Sequence, residues 1–117
     1  MSGRVVHFEI GCRDTAKAAA FYQDVFGWTT SPYVGAALTA HAGEGGLPGH
    51  FNALGHEPHN YLTVYIEVDD MAAALAKLAR AGGQKLLGPV PLPDGKSFAW
   101  AKDPDGNVIG LMTPPPG

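Results

Sequence analysis

Cysteine is almost missing from this chain of 117 residues: Cys12 stands alone and can form no internal disulfide, which agrees with a reducing compartment. With no His or Lys beside it in sequence, Cys12 reads as a small buried hydrophobe in or just after a strand, not as a reactive thiol. Charge is sparse and scattered, giving a formal net charge of −3 and a pI near 5.9. No basic stripe is present to track phosphates, so nucleic acid is not an expected partner. Long apolar runs are absent too. None approaches the roughly 18 to 20 residues that span a bilayer, and the opening MSGRVV lacks the apolar core of a signal peptide. A soluble, cytoplasmic protein with no membrane partner is the expectation. The length allows one core and not two independent ones, so residues 1–117 are read as a single domain.

What the chain does contain is a repeat. Residues 5 to 14, VVHFEIGCRD, lead into an alanine-rich stretch ending at Gly27; residues 61 to 70, YLTVYIEVDD, lead into another ending at Gly83. Asp14 and Asp70, like Gly27 and Gly83, stand 56 residues apart, and at that offset His7 falls on Thr63. Val6, Phe8 and Ile10 alternate with Val5, His7 and Glu9, as on a strand with one apolar face; Leu62, Val64, Ile66 and Val68 alternate in the same way with Thr63, Tyr65 and Glu67. Asp14, or Thr15 beside it, stands where a helix N-cap belongs. Ala19, Tyr22 and Phe26 follow near helical spacing, and Gly27 ends the helix. Asp70 opens the second helix, Ala74, Leu75, Leu78 and Ala81 form its stripe, and Gly82-Gly83 stop it. Phe21, Tyr22, Phe26 and Trp28 are expected in the core, pinning the first helix to its sheet.

Shorter strand-like runs follow each helix: 28–34, 36–42 and about 50–54 in the first half, then 84–90, 96–102 and 107–112 in the second. The expected fold class is therefore α+β, two βαβββ modules covering about residues 4–54 and 60–112. Residues 43–49 and 55–60 are the least regular. The first is read as a loop between strands and the second as the link between modules. Asp103-Pro104-Asp105-Gly106-Asn107 has the chemistry of a hairpin turn, and the proline-rich tail 113–117 is expected to be extended or disordered.

Three motifs, H-F-E-I-x-x-x-D at residues 7 to 14, F-Y-x-x-V-F-G-W at 21 to 28 and D-P-D-G-N at 103 to 107, together with the paired βαβββ pattern, resemble the vicinal oxygen chelate superfamily. That group includes glyoxalase I, extradiol dioxygenases, methylmalonyl-CoA epimerase and the bleomycin- and fosfomycin-resistance proteins. The resemblance spans nearly the whole chain and is nearest to the small glyoxalase-like bacterial proteins with F-G-W after the first helix and G-N-x-x-G-L near the end. It implies a curved, mixed eight-stranded sheet around a cleft, with both helices on the convex face. By strand alternation the cleft then receives His7 and Glu9 from the first strand, and Tyr61, Thr63, Tyr65 and Glu67 from its repeat. Val108, Gly110 and Met112 join them from the last strand. Trp100, which shares a strand face with Phe98, is a further candidate for stacking on a ligand, with packing into the module interface as the alternative.

Metal-dependent members of the superfamily carry ligands on the first and last strand of each module. Carried onto this chain, those slots are His7, Thr63, Gly110, where the family motif reads G-N-x-x-E, and a residue within 49–53. A catalytic divalent ion takes about three imidazole, carboxylate or thiolate ligands. Threonine is a poor ligand and glycine offers none, so the usual metal site reads as dismantled and no cofactor is expected; a divalent metal ion, if bound, would use His7 with His50. His50, His56 and His59 are read as polar residues of a solvated linker and not as a loop metal site. Without metal, His7 has two readings, an acid/base group or hydrogen-bond anchor for a carbonyl or carboxylate, or a ligand position kept only for packing. Glu67 carries the same pair of readings. Catalytic candidates are thus His7 and Glu67, and ligand-binding candidates are Glu9, Thr63, Tyr65, Trp100, Val108 and Met112.

The preferred reading is a glyoxalase/bleomycin-resistance-like protein that binds a small molecule in the cleft without the usual metal. The alternative is a metal-dependent lyase or dioxygenase using His7. By analogy with superfamily members of this size, a homodimer is the default partner state, with exposed sheet edges as a physical motive.

Overall fold

A computed structural model of the protein describes residues 2–33, 38–53 and 59–116. The chain divides into two compact units, residues 7–63 and residues 1–6 with 64–117. Ten elements follow one another as βαβββ twice. In chain order they are β1 (Val5–Gly11), α1 (Thr15–Phe26), β2 (Thr29–Pro32), β3 (Leu38–His41) and β4 (Pro48–Asn52), then β5 (Leu62–Glu67), α2 (Met71–Arg80), β6 (Gln84–Pro91), β7 (Ser97–Lys102) and β8 (Val108–Met112). The fold class is α+β, as the sequence predicts. The expected strands 28–34 and 36–42 overlap β2 and β3, whereas β4 begins two residues before the expected 50–54, taking Pro48 and Gly49 from the stretch read as a loop; Val34, Ala36 and Leu54 lie outside the described residues.

Residues 7–63 carry strands in the order β2-β3-β4-β1, with β1 parallel to β4 and the other pairs antiparallel. Asp14 and not Thr15 caps α1: its carboxylate Oδ1 accepts from the backbone N–H of Lys17 at 3.1 Å, and Gly27 closes the helix at φ 74°, where a side chain would be strained. One apolar face of this sheet holds Ala40 and Phe51, both with no exposure. Tyr22 and Trp28 pin α1 to it, with ring centroids 4.8 Å apart and Tyr22 5.2 Å from Phe51. Phe21 and Phe26 depart from expectation. They are 56% and 59% exposed, and α1 buries no residue fully. Tyr22 and the following Trp28 meet Phe51 on the sheet, whereas Phe21 and Phe26 contact each other edge to face, 6.4 Å apart, and Phe26 reaches the rings of Tyr22 and Trp28 at 5.9 and 6.1 Å.

In residues 64–117, with 1–6, the order is β5-β8-β7-β6, and β5 again runs parallel to the last strand, β8. Asp70 repeats the cap, accepting from Ala73 N–H at 3.0 Å. The stop does not repeat residue for residue. Gly82, at φ 99°, is the left-handed residue, one position before the expected counterpart of Gly27. Gly83 has a different reason to be glycine, since a Cβ there would lie 2.6 Å from Leu78 and 2.8 Å from the carbonyl of Lys102. Met71, Ala99, Ala101 and Leu111 form the core of this unit, with Leu75, Leu78 and Ile109 packed against it. Small alanines on β7 let α2 approach the sheet closely. The Asp103–Asn107 segment is the predicted hairpin turn: Asp103 Oδ1 accepts from the backbone of Asp105 and Asn107, both at 2.9 Å, and Gly106 sits at φ 87°.

Candidate functional site: a buried carboxylate and two imidazoles

Strand register in residues 7–63 sorts the side chains before any of them is examined for chemistry. Ser31 pairs with Thr39, Thr39 with His50, and His50 with Glu9, so these four form one row across β2, β3, β4 and β1. The flanking rows, Thr30-Ala40-Gly49-Phe8 and Pro32-Leu38-Phe51-Ile10, point to the opposite face and are mostly apolar. The polar row therefore shares its face with His7, two residues before Glu9. Gly49 is obligatory for the arrangement: a Cβ there would stand 2.4 Å from the Phe8 ring that fills the other face.

Within that row the side chains are joined end to end. His7 Nε2 lies 2.8 Å from His50 Nδ1, and His50 Nε2 lies 3.0 Å from Glu9 Oε1. Tyr61 donates its hydroxyl to the other oxygen, Glu9 Oε2. Glu9 is 1% exposed and His50 8%, so the carboxylate is removed from water and held by named partners, as buried charge requires. Among the described residues no buried side-chain nitrogen or oxygen lacks a partner. Tyr33 adds a ring 5.6 Å from that of His50.

Burial raises the Tyr61 phenol well above its ordinary value of 10.0, and the hydrogen bond and charge of Glu9 push it in the same direction. A group whose folded pKa is raised contributes stability fully below the unfolded value and loses it as pH climbs. Unfolding free energy measured by urea titration should therefore fall as pH rises beyond 10.0, and Tyr61→Phe should flatten that alkaline slope by close to one proton. An unchanged slope would mean that folding does not raise the phenol. The Cys12 thiol is also raised, first by burial, which keeps it protonated and argues against a nucleophilic role.

The other unit presents a second polar group. Tyr65, 3% exposed, accepts a hydrogen bond from Trp100 Nε1 at 2.7 Å, and Phe98 meets its ring edge to face at 6.2 Å. Tyr65 pairs in register with Gly110, which also pairs with Trp100, and the tyrosine ring lies over the glycine: a Cβ there would stand 2.3 Å from it. Glu67 and Met112 are register partners two residues along, and Val108 is paired with Lys102. Glu67 Oε1 lies 3.3 Å from an Arg4 guanidinium that is largely in solvent, an ion pair worth about 1 kcal/mol at most. A trough of about 400 Å³ beside α2, apolar except for Lys77 and Asp103, holds none of the imidazoles.

Of the residues singled out from sequence, the structure joins His7, Glu9 and His50 directly, and Tyr65 with Trp100. Thr63 is 5% exposed. Tyr61, placed on the same strand face by the repeat, was not among the candidates, and neither were Ser31, Thr39 and Tyr33. Strand register sets Thr39 beside His50 and Ser31 next in the row, and Tyr33, just past β2, meets His50 through its ring. His56 lies outside the described residues.

A model of the Glyoxalase/Bleomycin resistance protein/Dioxygenase superfamily matches residues 4–111. The chain belongs to that superfamily. Residues of this chain are 35% identical over 103 positions to the Mycobacterium bovis protein named "Putative glyoxylase CFP32", covering 85% of this chain but only 40% of that protein. A "Glyoxylase-like domain-containing protein" of Didymella fabae is 27% identical over 98% of this chain and 97% of its own length. Among solved structures, a methylmalonyl-CoA epimerase superposes with a TM-score of 0.72 over 99% of both chains at 17% identity, a likeness of fold. A Streptomyces coelicolor methylmalonyl-CoA epimerase variant in complex with 2-nitronate-propionyl-CoA superposes with a TM-score of 0.66 at 17% identity, covering 97% of this chain and 95% of its own.

The superfamily's divalent ion can be tested against these side chains. Both nitrogens of His50 and both oxygens of Glu9 are engaged, His50 by His7 and Glu9, Glu9 by His50 and Tyr61. A metal would have to displace these bonds, and roughly three open donors are needed. The family's carboxylate slot at Gly110 is covered by the Tyr65 ring. Among the described residues no group of three His, Cys, Asp or Glu side chains is arranged to hold a metal ion. The donor set does not fit the group.

Proposed function

We propose that this superfamily member binds a small molecule on the face that carries His7, His50 and Glu9, and does so without the usual divalent ion. The observation that carries the reading is His50, whose two ring nitrogens are committed to His7 and Glu9. A carboxylate behind two imidazoles in series supports acid/base or hydrogen-bonding work at His7. A proton gained by His7 is stabilised through His50 by the buried charge of Glu9, and no ion is required. The bleomycin-resistance type of activity, sequestration with no reaction, and proton transfer to or from a bound ligand both fit this geometry. Action in the cytoplasm and as a homodimer complete the proposal. Exposed Phe21, Val25 and Phe26 on α1 supply apolar surface for pairing, and the lone free Cys12 suits a reducing compartment.

The experiment is a thermal-shift screen of small carbonyl, hydroxyl and carboxylate compounds on protein dialysed against a chelator, with hits confirmed by calorimetry. Hits are expected to keep their affinity after chelation, and His7→Ala should weaken them by roughly tenfold or more, the loss of one hydrogen bond to a charged or polarised group. Binding or turnover that appears only when a divalent ion is restored would replace this reading with the metal-dependent lyase or dioxygenase.

A further inference from the structure

We propose that Glu9 and Tyr61 are positioning residues that fix which nitrogen of each imidazole carries its proton, holding His7 with Nε2–H toward His50 and Nδ1 as an acceptor. Direction enters the chain of contacts at Tyr61. A phenol has one proton to give, and Tyr61 gives it to Glu9 Oε2. The Glu9 carboxylate can only accept, so the contact at 3.0 Å from its Oε1 requires the proton on His50 Nε2. A neutral imidazole carries one N–H, which leaves His50 Nδ1 as the acceptor in the 2.8 Å contact with His7 Nε2. The proton of that contact belongs to His7 Nε2, and His7 Nδ1 keeps its lone pair. Glu9 and Tyr61 thereby set the hydrogen-bonding role of His7. Burial of Glu9, 1% exposed, makes the setting rigid, since the carboxylate has no water to turn to.

Long-range ¹H–¹⁵N spectra of the imidazoles, recorded at a pH where the nitrogen shifts themselves show neutral rings, read the tautomers directly. Wild type is expected to show His7 and His50 both protonated at Nε2. In Glu9→Gln, Tyr61 donates to the carboxamide oxygen and turns its NH2 toward His50 Nε2, so both rings should switch to Nδ1–H. Adding Tyr61→Phe releases the carboxamide to present its oxygen to His50 and should restore the wild-type pattern. A wild-type His50 protonated at Nδ1 overturns the proposal even if the variants fail to fold. Tautomers unmoved in a folded Glu9→Gln overturn it too.

Discussion

Gly110→Glu is expected to destabilise the protein by about 3 kcal/mol, the upper end of overpacking costs, and to create no metal site. The substitution writes back the carboxylate that the superfamily's G-N-x-x-E motif carries at this position, so from sequence alone it looks like a repair. The structure makes it a collision. An added Cβ would lie 2.3 Å from Tyr65 Cδ2 and 2.7 Å from its Cγ, and real Cβ atoms do not come within 3.0 Å of a neighbour. Tyr65 cannot step aside cheaply, because it is 3% exposed and its hydroxyl holds Trp100 Nε1 at 2.7 Å. The incoming carboxylate would also have to be buried at the collision point. Urea midpoints of Gly110→Glu, Tyr65→Ala and the double variant check this. The double variant should recover much of the steric loss, since the two changes share one volume. A Gly110→Glu protein as stable as wild type would show that the Tyr65 ring is not what fills the slot.

Phe51→Ala is expected to cost about 3 to 5 kcal/mol, the range for deleting a large buried aromatic. Phe51 has no exposure and stands under two aromatics that anchor α1, 5.2 Å from Tyr22 and 6.4 Å from Trp28. Its loss opens a cavity between helix and sheet directly behind His50, its neighbour on β4. The comparison that gives the result meaning is Phe26→Ala, on the same helix system but 59% exposed, which should cost within about 0.5 kcal/mol. Equal losses from the two would put Phe26 back in the core, where sequence periodicity places it. Thermal or denaturant unfolding of both variants in one buffer is sufficient.

The βαβββ repeat was legible because it is written in local chemistry. Asp14 and Asp70 cap helices whatever surrounds them, since the bond each makes reaches only three residues along the chain. Alternation along residues 5–10 and 62–67 gave the faces of both parallel-paired strands. The Asp103–Asn107 turn was equally readable, closed by bonds within five residues. The helical stripe of α1 was misread for a reason of the same kind. Periodicity marks which residues share a side but not how deep each sits: Tyr22 and Trp28 reach Phe51 and Phe8 on the sheet, while Phe21 and Phe26 stay more than half exposed.

Of the site, the sequence singled out His7, Glu9 and, conditionally, His50. It could not say that they join. His50 is 43 residues from His7 and Tyr61 is 52 from Glu9, separations that no spacing rule bridges. The amino-acid sequence by itself determined the repeat, the caps, the strand faces and the lack of metal-binding residue types at Thr63 and Gly110. Tertiary structure alone decided that β4 lies parallel beside β1 with His50 opposite Glu9, and that Tyr61 closes on the same carboxylate. It also decided that Tyr65 covers Gly110. Strand register turns side chains distant in sequence into neighbours a few ångströms apart, and at that range hydrogen-bond inventory, not residue type, sets what a histidine can do.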